Sequence, residues 1–258
     1  MRHINNSLII LFFSFAASLP SFGWGKTGHR VVGAIAEMYL TKKATKEIQR
    51  IMGNESLAMA ANWMDFIRSD PRWDHAGPWH YTTIPDGMTY EQAGTPNEGD
   101  AIETVERLIN ELQTKQFTDS DELVALRFLI HLIGDLHQPL HTGNGEDRGG
   151  TDIKLKWFSK NSNLHGVWDS GIIDGEQLSH TEWVNEINFA TKTEITTWQH
   201  ASPVEWAYES MSYRKQIYDL PENKSINYRY VYDNIDVVRH RLLQAGIRLA
   251  GVLNKIYG

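Results

Sequence analysis

The stretch FLIHLIGDLHQPLH, residues 128–141, is mostly apolar, yet its helical part carries His131 and Asp135 where an interior helix cannot leave them without partners. Apolar residues on every side predict a buried helix. His131 and Asp135 stand four residues apart, so they leave one helical face about a turn from each other. Burying an imidazole and a carboxylate there is costly unless something satisfies both. Pro139 ends the helix and turns the chain, which brings His141 back toward the same face. Nitrogen and oxygen donors at this spacing suit a borderline divalent cation, zinc above all. The alternative, a surface helix with solvated histidines, sits poorly with such apolar neighbours.

The frame around this segment reads as helical too. Val31, Val32, Ile35, Met38, Ile48 and Ile51 recur near a period of 3.6 and predict helix over 26–52, closed by Gly53 and Asn54. Further helices are expected over 57–68, 100–115 and 121–137, the last capped from Asp119-Ser120-Asp121, then over 165–178, 181–192, 203–218 and 228–256. Residues 85–99 and 143–150 are rich in glycine and read as loops. Ile153, Leu155 and Trp157 alternate with Lys154 and Lys156, which predicts a strand in a small β-hairpin near 151–158. The expected fold class is all-α, a single compact multi-helix domain over 24–258 with that one hairpin.

The N-terminus has a different character. Arg2 precedes an apolar run over Leu8–Ala17, too short to span a membrane, and Ser21 and Gly23 are small residues placed for a cleavage after Gly23. Residues 1–23 are therefore expected to be a cleaved signal peptide, with an uncleaved membrane anchor as the alternative. The protein is expected to be exported, periplasmic or secreted. There is no cysteine, hence neither disulfides nor thiolate ligands. A formal net charge of -7 argues against a basic nucleic-acid-binding surface. It leaves open an enzyme that meets phosphates through bound cations.

Further donors are scattered along the chain. His165 and Asp169 repeat the four-residue spacing, and Asp65 and His80 lie in aromatic surroundings. Each has an ordinary alternative, a surface acid or a satisfied core histidine. His29 lies five residues after Trp24, the residue that cleavage would expose. A free α-amino group has a pKa near 8 and ligates metal readily, and its own carbonyl can chelate the same ion.

Taken in order, WGKTGH, NWMD, HY, HLIGDLHQPLH and LHGVWD resemble the zinc-dependent type I nucleases. These are the secreted single-strand nucleases of fungi and plants, also called 3′-nucleotidases, with bacterial relatives and a fold shared with zinc-dependent phospholipase C. The resemblance implies a cluster of three Zn2+. Asp65, His80, His131 and Asp135 would hold one; Trp24, His29 and the shared Asp135 a second; His141, His165 and Asp169 the third. It also implies hydrolysis of single-stranded DNA, RNA and nucleotides to 5′-phosphate products by a hydroxide bridging two metals. Arg68 would meet a phosphate oxygen, with a solvated cation at a helix end as the alternative. Tyr81 would stack on a base, with core packing as the alternative. Where the family reads the base with an aspartate and an asparagine, this chain has Thr83 and Thr151. That leaves base preference open, and the lack of cysteine points to a bacterial-type member.

Two other functions compete. A phospholipase C would use the same metals, but the short step from Trp24 to His29 and the aspartate at 169 follow the nucleases. A non-enzymatic zinc-binding protein would favour closed, four-ligand sites, whereas the implied third metal has three side-chain ligands.

Overall fold

The computed structural model describes residues 23–117 and 121–258, so residues 1–22 of the expected leader and the cap residues Asp119 and Ser120 lie outside the described residues. Its longer α-helices are α1 (Lys26–Met38), α2 (Lys42–Met52), α3 (Ala101–Thr114), α4 (Glu122–His137), α5 (His180–Ile187), α6 (Lys192–His200), α7 (Pro203–Ser212) and α8 (Tyr228–Tyr257). Helix α4 is the central element. Every residue from Phe128 to His137 is buried, as its all-round apolar sequence requires, and α3, α7 and α8 pack about it. The side chain of Asp121 caps its N-terminus by accepting from the Val124 N–H.

The carbonyls at the other end of α4 are met by a buried cation. Arg241 of α8 donates to the carbonyls of Leu136, His137 and Trp206, and Glu209 of α7 neutralises it together with Arg248. Guanidinium at a helix C-terminus complements both the unpaired carbonyls and the dipole. This network fixes the end of α4 from which His131 and Asp135 project.

Helix α1 lies along α8, and their axes come close because Gly246 has no side chain. A Cβ at that position would stand 2.5 Å from the Cβ of Ile35. Gly246→Ala is therefore expected to cost about 1–3 kcal/mol through overpacking. A lower urea midpoint with an unchanged slope would show it.

The strands are short. β1 (Thr82–Thr83) pairs in parallel with β2 (Thr142–Gly143), a bridge that ties the segment after His80 to the segment after His141. β3 (Lys154–Trp157) and β4 (Lys160–Asn163) form the expected hairpin, turning through Phe158 and Ser159, both at positive φ. β5 (Ser225–Ile226) lies parallel to β3.

Several expected helices are broken. The 26–52 stretch splits before Thr41, whose hydroxyl caps α2. The 57–68 stretch divides into turns at Leu57–Ala60 and Trp63–Phe66, followed by a 3-10 turn. A 3-10 run over Pro71–His80 was not expected at all. The stretch from 165 passes through a π-helical turn, Val167–Gly171. Thr191 and Glu194 form a capping box that starts α6, which the sequence reading missed.

Candidate metal centre

The predicted donors converge. His29 comes from the first turn of α1, Asp65 from the turn Trp63–Phe66, His80 from the end of the 3-10 run, and His131 and Asp135 from the inner face of α4. His141 follows the Pro139 turn, and His165 and Asp169 come from the irregular helix after β4. Three groups have ligand atoms within 4.8 Å of one another: His29, His131 and Asp135; Asp65, His80 and His131; and His141, His165 and Asp169.

Asp135 is the hub. Its Oδ1 lies 3.2 Å from Nε2 of His29, while its Oδ2 lies 2.9 Å from Nδ1 of His80 and 3.2 Å from Nε2 of His131. The two oxygens of one carboxylate thus face two different sets of donors. The rings of His29 and His131 stack, with centroids 3.9 Å apart.

Backbone carbonyls orient the histidines. Nδ1 of His131 donates to Ala61 O at 2.6 Å, Nδ1 of His141 to His80 O at 2.6 Å, and Nδ1 of His165 to Gly149 O at 2.7 Å. A carbonyl only accepts, so each Nδ1 carries a proton and each Nε2 is the ring nitrogen left to face the centre. Gln138, absent from the sequence reading, plays a similar part. It is fully buried, donates to Asp169 Oδ1 at 2.6 Å, and accepts from the Leu140 N–H. Its place between Asp135 and Pro139 was the available signal, because a buried amide needs partners on both atoms.

The donors fit a cation. Both ring nitrogens of His29, Oδ1 of Asp65 and Oδ1 of Asp135 are buried without an aligned hydrogen-bond partner. Each such group costs about 1–3 kcal/mol if nothing satisfies it. Burial carries His29 down to about 4 and lowers His80, so both imidazoles stay neutral. At His131 burial also opposes the charge, but the Asp135 carboxylate outweighs it and holds the ring up to about 9. Burial likewise opposes ionisation of Asp135, yet His131 and His141 hold its carboxyl well below the usual range. Neutral His29 and His80 beside the anionic Asp135 carboxylate are in the state that binds a cation, while His131 gives up a proton as one binds.

A cleft of about 420 Å³ opens over the centre. It is lined by the donors His80, His141 and His165 and by Arg68, Tyr81, Thr83 and Thr151. Tyr81 is 49% exposed, which removes core packing as its role. Nη1 of Arg68 lies 3.5 Å from Oδ1 of Asp65, at the edge of the donors instead of out in solvent. Arg148 also lines the cleft and had no place in the sequence reading.

The S1/P1 Nuclease family profile matches residues 24–258, which is every residue after the expected cleavage point. The chain belongs to the S1/P1 nuclease family. The family is zinc-dependent, in keeping with the donor set. Endonuclease 2 of Arabidopsis thaliana is 26% identical over 299 residues, covering 99% of this chain and 98% of that one. Endonuclease 3 of the same plant is 30% identical over 262 residues, covering 91% and 89%. Nuclease P1 of Penicillium citrinum is 26% identical over 272 residues, covering 91% and 98%. Membership in the S1/P1 nucleases decides between the competing enzymes in favour of the nuclease. Among the described residues no helix is long and apolar enough to cross a membrane.

Proposed function

We propose that this protein is an exported three-zinc nuclease. It would cut single-stranded DNA and RNA to products with 5′-phosphates and remove the phosphate from 3′-nucleotides. The observation that carries the reading is the split carboxylate of Asp135, facing His29 with one oxygen and His80 and His131 with the other, beneath a cleft with an exposed aromatic wall. Asp65, His80, His131 and Asp135 would hold one ion. The amino nitrogen and carbonyl of Trp24, with His29 and Asp135, would hold the second, and His141, His165 and Asp169 the third. Bound zinc supplies Lewis acidity and brings the pKa of bound water to about 7.

The chain's own residues do the rest. In the reaction a water oxygen bonds to phosphorus, the bond from phosphorus to O3′ breaks, and the departing O3′ takes a proton. Arg68 donates to a non-bridging phosphate oxygen, where charge builds up in the transition state. The half-exposed Tyr81 ring stacks on the base of the nucleotide that keeps the 3′-hydroxyl, and the hydroxyls of Thr83 and Thr151 take the place of family groups that read its edge. Hydroxyls donate and accept, so base selectivity is expected to be broad. Residues 1–23 are read as the leader and 24–258 as the catalytic domain, which agrees with a family match that begins at Trp24.

Metal analysis with digestion assays tests this. The processed protein is expected to hold three zinc ions per chain and to digest single-stranded DNA and RNA, to lose that activity to a chelator, and to regain it with zinc. Zinc-loaded protein inert toward polynucleotides and 3′-nucleotides alike would defeat the proposal. Tyr81→Ala is expected to raise KM about tenfold with kcat within a few-fold of the parent, the size of one base–aromatic stack.

A further inference from the structure

A second, smaller crevice adjoins the cleft. It has a volume of about 100 Å³ and is lined by Met64, Ile67, Trp73, Asp74 and Ala76, and it shares Arg68, Gly77 and His80 with the cleft. The two concavities therefore meet at the cation placed to hold the scissile phosphate and at one of the donors of the metal centre. Gly77 also lines both, and a Cβ built on it would meet no atom within 4 Å.

Trp73 is half-buried in the crevice wall. Its inner contacts are ring to ring at steep angles, with Trp63 at 5.8 Å and Phe128 at 5.3 Å between centroids. Those contacts hold the indole in place while part of it still borders the crevice. A phosphodiester has a nucleoside on each side of phosphorus. Tyr81 lines the cleft, Trp73 lines the crevice, and Arg68 lines both.

We propose that the Trp73 crevice is the subsite for the nucleoside across phosphorus from the one on Tyr81, the nucleoside that retains the 5′-phosphate, with its base entering edge-first against the indole. This rests on the nuclease reading above and extends it to a second nucleotide. Trp73 is a binding residue here and takes no part in bond breaking. An aromatic platform accepts any base, because each has a π-face. The crevice, of about 100 Å³, is about a quarter of the size of the cleft beside it, which suits one planar ring entering by its edge.

The test compares a dinucleotide with a 3′-mononucleotide, which has no nucleoside on the 5′-phosphate side of phosphorus. Trp73→Leu keeps an apolar side chain against Phe128 but has no π-face, and Trp73→Phe keeps one. In Trp73→Leu the ratio of kcat/KM for the dinucleotide to that for the 3′-mononucleotide is expected to fall about tenfold, through KM. Trp73→Phe should restore most of that ratio. Zinc content is measured in each variant to check the centre. If the ratio stays within twofold of the parent, or both substrates decline together, the subsite assignment is wrong while the nuclease reading stands. If the parent cleaves neither substrate, the nuclease reading itself fails.

Discussion

Asp135→Asn is expected to lower kcat by about a thousandfold or more and to remove zinc from the isolated protein. The carboxamide has the same shape, so the packing of α4 has no reason to change. What changes is the charge and one donor atom. Oδ1 of Asp135 faces His29 at 3.2 Å, and Oδ2 faces His80 at 2.9 Å and His131 at 3.2 Å. Whichever way the amide is turned, one donor set meets an NH2 group that repels a cation and offers no lone pair. The negative charge is lost from both sets. Loss of one preorganised electrostatic contact from a water-excluded site costs about a hundred- to a thousandfold. Here one substitution disturbs two proposed ion positions. Tyr81→Ala, which removes one stacking contact, should be far milder. Kinetics on a 3′-nucleotide together with zinc analysis would check this. An asparagine variant with full zinc and a rate within tenfold of the parent would disprove the shared-ligand role of Asp135.

Much of this centre was legible in the sequence because helices carry ligand spacing in plain form. His131 and Asp135 lie on one face by simple periodicity, and the apolar residues around them require burial. The Pro139 turn and the return of His141 follow from the chemistry of proline. Other parts were not legible because they depend on tertiary contacts. That Ala61, His80 and Gly149 offer their carbonyls to His131, His141 and His165 is a matter of where distant segments meet. The parallel bridge of β1 and β2 is two residues long on each strand, too short to have a pattern. Arg241 and Arg248 read in sequence as ordinary polar positions of an amphipathic helix, yet both are buried to hold Glu209, and Arg241 meets the end of α4 as well. Helix boundaries were lost where caps competed with periodicity, as at Thr41, Thr89 and Thr191. Each of these accepts from a backbone N–H and starts a new helix inside an expected loop or a continuous segment.

Protein that keeps residues before Trp24 is expected to hold about one zinc ion fewer than the processed chain and to be at least about a hundredfold less active. The reason lies in where the preceding residue sits. Trp24 is fully buried, and Gly25 donates its N–H to Asp169 O at 2.6 Å, so the start of the domain is held at the centre. Gly23 is pressed against the same donors. A Cβ built on it would collide with Oδ1 of Asp135 and lie 3.0 Å from Nε2 of His29. An intact peptide bond at this point puts uncharged backbone beside the two atoms proposed to share an ion. It also ties up the nitrogen of Trp24 as an amide, whose lone pair is delocalised and does not bind metal at neutral pH. Cleavage would remove the obstruction and in the same step create an amine with a pKa near 8, which a cation deprotonates readily. Export and assembly of the centre would then be coupled, since the chain could not load all its zinc before the leader is cut. A fusion with a protease site directly before Trp24 makes the comparison within one preparation. Zinc content and hydrolysis of single-stranded DNA are measured before and after the cut, and both should rise together. Full zinc and full activity in the uncut fusion would show that neither the amino group of Trp24 nor the removal of Gly23 matters to the centre.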